Sequence, residues 1–205
     1  MPKTPPTTKT LVLASRSASR MSLLAGAGLV FEAEPSEVDE RAVERPLLEA
    51  GADPGTIALH LAEAKALDVG ARRPDALVLG CDQTLGLDRE RFVKPDDRAA
   101  ARAQLTRLRG RTHELHSALA LVTDGRVVWR DVVVARMTMR AFSDAFLDDY
   151  CDRAGDAVLS SVGCYQLEGL GVTLFEAIDG DYFTILGLPL LPLLAELRRI
   201  GHLAS

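Results

Sequence analysis

A mixed α/β fold follows from the order of signals along the chain. Short apolar runs feed helical patterns, as crossover connections do. An Asp-Gly pair joins two long strand-like runs, a strong hairpin signal. Crossovers and hairpins in one chain predict a mixed, twisted β-sheet flanked by helices, not a purely parallel one. The 205 residues are 47% hydrophobic and 26% charged, so a sizeable core is available and disorder as a whole is excluded.

Residues 1–9 read as a disordered leader and 10–205 as a single domain. Leu11, Val12 and Leu13 form a short buried strand. Met21, Leu24 and Ala25 then recur at helical spacing, with Ser17 as the N-cap and Gly26 and Gly28 ending the helix. Leu29 to Phe31 begin a second strand. Glu34 to Gly55 are polar with few periodic signals and read as a loop with a little helix. A long helix follows Pro54, with Ile57, Leu61 and Ala64 on its buried stripe, and Pro74-Asp75 stops it. Ala76 to Leu79 make a strand, and Leu85 to Lys94 a hairpin turning at Asp88-Arg89. Asp96 and Asp97 open a helix that carries Ala101, Leu105 and Leu108 on one face, with Gly110 past its end. Leu115 to Val122 and Val127 to Met139 are longer strands joined at Asp124-Gly125. Ser143 caps the next helix, with Phe142 and Leu147 placed as a hydrophobic staple. Leu190, Leu194 and Leu197 form the last helix, ended by Gly201.

Charge narrows the function classes. Lys plus Arg is 24 against 29 Asp plus Glu, a formal net charge of −5. Bulk binding of DNA or RNA needs a basic face, so no nucleic-acid partner is expected. Phosphate chemistry would have to use a local basic pocket. Cys81, Cys151 and Cys164 match no zinc spacing and no disulfide framework, which suits a reducing cytoplasm. The first ten residues lack the apolar core of a signal peptide, and Ile185 to Leu197 is too short and too interrupted by Gly187, Pro189 and Pro192 to span a bilayer. No membrane partner is expected.

Several stretches carry residues suited to chemistry. Ser15, Arg16, Ser17, Ser19 and Arg20 lie between the first strand and the first helix, where free N–H groups and the helix dipole favour a phosphate. The same residues also read as an ordinary Ser cap with exposed arginines. Glu37, Asp39 and Glu40 could hold magnesium, or form a plain acidic loop. Asp82 follows the buried run Ala76 to Leu79, where a carboxylate often sits at the mouth of a cleft, and Gly80 beside it allows close backbone approach. Its alternative is an Asp turn. Lys65 and Lys94 are each ordinary surface lysines taken alone, yet with Arg20 they could neutralise a polyphosphate. The run from Ser161 to Gly171 (SVGCYQLEGLG) has glycines for tight turns over a ligand, and Glu168 could accept hydrogen bonds from a base edge. His60, His113, His116 and His202 show no common ligand spacing, and His116 reads as structural.

In their order and spacing, the runs LVLASRSASRMSLL, EVDE, LHLAEAKA, LVLGCDQTLGLD, KPDD, YQLEGLG and GDYFTILGLPL resemble the Maf family of nucleoside triphosphate pyrophosphatases, from about Leu11 to Leu197. The resemblance implies two lobes of an ITPase-like fold around a central cleft. It implies hydrolysis between the α- and β-phosphates with a divalent cation, Mg or Mn, and a role in clearing modified nucleotides. It implies Asp82 as general base, with Lys65 and Lys94 as catalytic lysines at the phosphates. Glu40 would lie near the metal, Ser15 and Arg20 in the phosphate loop, and Ser19, Gln83 and Glu168 at the base. The expected partner is a nucleoside triphosphate, with room for a homodimer.

The chain departs from the family pattern. Ser17-Ala18-Ser19-Arg20 stands where Ser-Pro-Arg-Arg is usual. Gln83 stands where many members have Thr, and Glu168 where many have Gln. The last two resemble the branch acting on 7-methyl-GTP, whereas Ser19 stands where that branch commonly has Trp. A dTTP- or UTP-preferring pyrophosphatase and a non-catalytic nucleotide sensor in cell division remain alternatives. A nucleotidyltransferase would want a glycine-rich loop, and residues 14–20 contain no glycine.

Overall fold

The computed structural model describes residues 9–88 and 90–204. Of the leader, only Lys9 is among them, and its ammonium donates to Thr123 and Asp124 at 2.7 Å each. The rest of the leader, and Arg89 of the expected turn, lie outside the described residues.

Among the described residues, seven strands form one mixed sheet. They are β1 (Leu11–Leu13), β2 (Glu32–Ala33), β3 (Leu77–Leu87), β4 (Glu90–Phe92), β5 (Thr112–Thr123), β6 (Arg126–Met139) and β7 (Phe175–Asp179). The order is β2-β1-β3-β5-β6-β7, with β4 paired to β3. β1 runs parallel to β2 and β3, and the other pairings are antiparallel. The mixed character read from the crossovers and hairpins is therefore present. Asp124 and Gly125 both take positive φ, as the expected two-residue turn requires.

The helices are α1 (Ala18–Gly26), α2 (Glu40–Glu49), α3 (Pro54–Arg72), α4 (Arg98–Leu108), α5 (Asp144–Ala154), α6 (Tyr182–Ile185) and α7 (Leu190–Arg199). Ser17, Asp97 and Ser143 cap α1, α4 and α5 with their side chains, as their sequence positions suggest. Phe142 and Leu147 are both buried in one cluster, completing the staple.

Three expectations need correction. The second strand is not at Leu29 to Phe31: Leu29 turns inward after Gly28 (φ 74°) and is buried, while Val30 is exposed, so pairing begins at Glu32. The expected loop with a little helix contains the ten-residue α2, which has no buried residue and carries Pro46 inside it. The buried face of α3 runs through Ile57, Leu61, Lys65 and Val69 with Ala58, Ala62 and Ala66, whereas Ala64 is only half-buried.

The core divides along β3, and that division makes the cleft. Leu77, Leu79 and Cys81 pack with α1 and α7. Val78 packs with the small residues of α3. Beyond the polar step Asp82, Gln83 and Thr84, Leu85 and Leu87 join a separate cluster with α4 and α5. Alternation along a strand puts Val78, Gly80, Asp82 and Thr84 on the α3 face, and Cys81 and Gln83 on the other. Gly80 is required there: a Cβ would lie 2.1 Å from the Ala62 carbonyl oxygen. That contact lets α3 lie close enough for Lys65 to meet Asp82.

Candidate active site

Asp82 lies inside β3, not just past a strand that ends at Leu79. β3 continues because Asp82, Gln83 and Thr84 each face a partner on β5, so polarity does not interrupt the ladder. Thr84 donates to the Pro54 carbonyl at the start of α3 at 2.8 Å. Gln83 donates from Nε2 to Ser117 Oγ at 2.8 Å and to the carbonyls of Thr184 and Ile185 at 3.1 and 3.0 Å. These bonds tie α6 to β3 and β5, and leave the Gln83 Oε1 for a ligand.

Around this polar step lies a cleft of about 1260 Å³. Ser15, Ser19, Arg20, Glu40 and Lys65 line it, as do Asp82, Gln83, Lys94 and Glu168. The site residues that the family resemblance implied thus all line one cavity, whereas Asp39 of the acidic stretch does not and instead caps α2.

At its base is a three-membered charge cluster. Lys65 Nζ lies 2.6 Å from Asp82 Oδ1 and 2.8 Å from Glu40 Oε1. Lys65 is only 9% exposed and Asp82 7%. Burial alone would push the Lys65 ammonium down, but the charges of Asp82 and Glu40 outweigh it and hold the pKa above the ordinary lysine value. Asp82 Oδ2 makes no hydrogen bond among the described residues and stays open to solvent. Glu40 is the first residue of α2, which Asp39 caps by accepting from Ala42 N. Glu44, one turn on, grips Arg91 of β4 with both oxygens at 2.6 and 2.7 Å and anchors α2 over the cleft.

Above the cluster sit cations without carboxylate partners. Arg20 donates to the carbonyls of Gly187 at 2.8 Å and Cys81 at 2.9 Å, and to Ser15 Oγ at 3.3 Å. Those contacts fix the guanidinium without neutralising it. Lys94 is exposed. Arg16, Arg20, Arg41 and Lys94 all line the cleft, and none forms an ion pair among the described residues. Most other arginines of this acidic protein are paired. A cluster of unneutralised cations in one cleft can take a polyanion. Arg41 was not singled out from the sequence, because its place depends on α2.

The far rim is residues 160–168. Ser161 Oγ donates to the Tyr165 carbonyl at 2.7 Å and accepts from Tyr165 N at 3.1 Å. Tyr150 holds the Cys164 carbonyl at 3.0 Å, and Gln104 holds that of Val162. A Cβ on Gly163 would lie 2.3 Å from the Tyr165 ring, so the expected tight turn is real. Glu168 is exposed and Ser19 half-buried, and both line the cleft.

Tyr165 is pinned from below by His113, whose Nε2 lies 2.7 Å from the phenol oxygen. Burial pushes the His113 pKa down to about 4 from 6.5, so it is neutral near pH 7. The unfolded chain takes up that proton near pH 6.5 and the folded chain only near pH 4. Stability from neutral His113 is therefore whole above pH 6.5 and lost as pH falls towards 4. Between pH 7 and pH 5 the wild type should lose on the order of 2 kcal/mol more than His113→Asn in urea unfolding. Parallel pH curves for the two proteins would refute a neutral buried His113.

Among the described residues, no three His, Cys, Asp or Glu side chains are grouped to hold a metal by themselves. No helix among them is long and apolar enough to cross a membrane.

A family model described as Maf-like protein matches residues 10–200. The chain is 58% identical over 189 residues to a 7-methyl-GTP pyrophosphatase of Brucella abortus biovar 1 (strain 9-941), covering 92% of this chain and 95% of that protein. It is 56% identical over 194 residues to a 7-methyl-GTP pyrophosphatase of Mesorhizobium japonicum, covering 95% and 98%. It is also 56% identical over 194 residues to a nucleoside triphosphate pyrophosphatase of Rhodopseudomonas palustris (strain BisB18), covering 95% of each.

Proposed function

The chain belongs to the Maf family, and on that footing we propose that it hydrolyses a nucleoside triphosphate between the α- and β-phosphates, with 7-methyl-GTP or a similarly modified nucleotide preferred. The observation that carries this is the buried Asp82–Lys65 pair, joined by the exposed Glu40, in a cleft also lined by cations that have no carboxylate partner among the described residues. The names of all three relatives support the reaction, and those of the Brucella and Mesorhizobium proteins support the base.

The donor set fits a divalent cation that arrives with substrate. Glu40 and Asp82 hold one ammonium between them, so their oxygens are close enough to share a cation. Magnesium commonly binds through one or two carboxylates plus substrate phosphates. Glu40 and Asp82 would hold it, and it would supply charge neutralisation and polarisation at the phosphates.

The protein's own groups then divide the work. A triphosphate brings about four negative charges, and Arg16, Arg20, Arg41 and Lys94 offer matching positive charge. Arg20 is fixed in advance by the Gly187 and Cys81 carbonyls, so little reorganisation is needed when the phosphates bind. Asp82 Oδ2, open to the cleft, accepts a proton from the attacking water. Before substrate binds, Lys65 holds Asp82 Oδ1 and so sets the orientation of that carboxylate. The α-phosphate becomes the monophosphate and pyrophosphate leaves.

At the base, Glu168 sets a carboxylate on the rim. 7-Methylguanine is cationic, so the charge favours it over guanine. Glu168 is exposed, so water screens the effect, and roughly tenfold, about 1.4 kcal/mol, is its expected size. Ser19 is too small to stack on the ring.

The test is a panel of 7-methyl-GTP, GTP, dTTP and UTP with magnesium or manganese, read as pyrophosphate release and kcat/KM. We expect 7-methyl-GTP to lead and Glu168→Gln to shrink its lead over GTP. Orthophosphate release would refute the bond assignment, dTTP or UTP in first place would refute the base, and binding without turnover would make the protein a sensor.

A further inference from the structure

We propose that Lys65 closes the carboxylate pair to free divalent cations, so that the metal enters only with a nucleotide whose phosphates take over the Lys65 ammonium. This rests on the proposed phosphohydrolase reading of the same cleft, and it concerns the order and coupling of binding rather than the reaction.

The geometry is that of an occupied site. One buried ammonium contacts Asp82 Oδ1 at 2.6 Å and Glu40 Oε1 at 2.8 Å. A cation approaching the two carboxylates from solvent meets a positive charge already between them. Displacing that ammonium with nothing to receive it strands a buried, unpaired charge, which is strongly unfavourable. α3 holds the Lys65 backbone against β3 through Gly80, so the residue cannot back out of the cleft as a whole.

A polyphosphate changes the balance. Its oxygens offer the ammonium new partners within the same cleft, beside Arg20 and Lys94. The carboxylates are then released to the incoming cation while the count of paired charges is kept. Binding of metal and nucleotide is therefore linked, and by thermodynamic reciprocity each tightens the other by the same factor.

Calorimetric titration with Mn2+ alone tests this on the intact protein without turnover. Wild type should bind Mn2+ at least about tenfold more tightly in the presence of a nucleotide carrying a methylene bridge between the α- and β-phosphorus, a coupling of about 1.4 kcal/mol. Lys65→Gln, which can still hydrogen-bond both carboxylates but carries no charge, should bind Mn2+ without nucleotide more tightly than wild type by a similar factor. Equal Mn2+ affinity of the wild type with and without the analogue overturns the proposal, and needs no variant. Equal affinity of folded Lys65→Gln and wild type, both without nucleotide, overturns it too. If the wild type releases no pyrophosphate from any nucleotide yet the Mn2+ titrations behave as expected, the reading of the reaction fails and the gate stands.

Discussion

Asp82→Asn is expected to lower kcat by about 100- to 10,000-fold, the usual worth of general-base assistance, while the protein stays folded. The amide is nearly isosteric and its oxygen can still accept from Lys65, which keeps Glu40 as an ionic partner. Asp82 is only 7% exposed, so the change is made inside β3, but no cavity opens and the β5 pairing is untouched. What is lost is the capacity of Oδ2 to take a proton. Single-turnover rates on 7-methyl-GTP, beside a thermal melt, check it. Undiminished turnover in a folded variant would remove Asp82 from the chemistry. A collapsed melt would show instead that its charge serves the buried Lys65.

The sequence singled out the polar residues of this cleft more readily than the scaffold that carries them. Asp82 stood out because a lone carboxylate after Gly80 and Cys81 breaks a long apolar run. Its position within β3 was not legible, since polar residues usually end a strand and here cross-strand pairing carries them through. The capped helices α1, α4 and α5 were readable because Ser17, Asp97 and Ser143 precede apolar periodic runs. α2 was not, because none of its residues is buried and Pro46 lies inside it, where a proline argues against a helix. With α2 hidden, Arg41 and the Glu44–Arg91 anchor were hidden as well. β7 and α6 escaped for a related reason: β7 is a largely exposed edge strand, and α6 has four residues. The meeting of Lys65 with Asp82 depends on α3 lying against β3 at Gly80, a tertiary contact that neither residue announces.

Lys94→Ala should lower kcat/KM by roughly 10- to 100-fold and leave stability almost unchanged. From sequence, Lys65 and Lys94 formed a matched pair of phosphate lysines; the structure sets them apart. Lys65 is buried against Asp82, and truncating it strands that carboxylate, a loss of about 3–5 kcal/mol for a broken buried pair, whereas Glu40 is exposed and stays solvated. Loss of activity in Lys65→Ala would therefore mix folding with catalysis. Lys94 is exposed, forms no ion pair or side-chain hydrogen bond among the described residues, and sits between β4 and α4 where no core depends on it. Its removal takes away a cation and nothing that packs. A hydrogen bond from a charged donor to a phosphate is worth about 1.5–3 kcal/mol, which sets the upper end of the expected loss. If Lys94 meets the phosphates in both ground and transition states, KM rises and kcat holds; if only as charge shifts to the leaving pyrophosphate, kcat falls. Steady-state kinetics of Lys94→Ala and Lys94→Arg separate the two, with Arg restoring much of the rate because it keeps the charge. Normal kcat/KM in Lys94→Ala would make Lys94 an ordinary surface lysine and leave the polyphosphate to Arg16, Arg20 and Arg41.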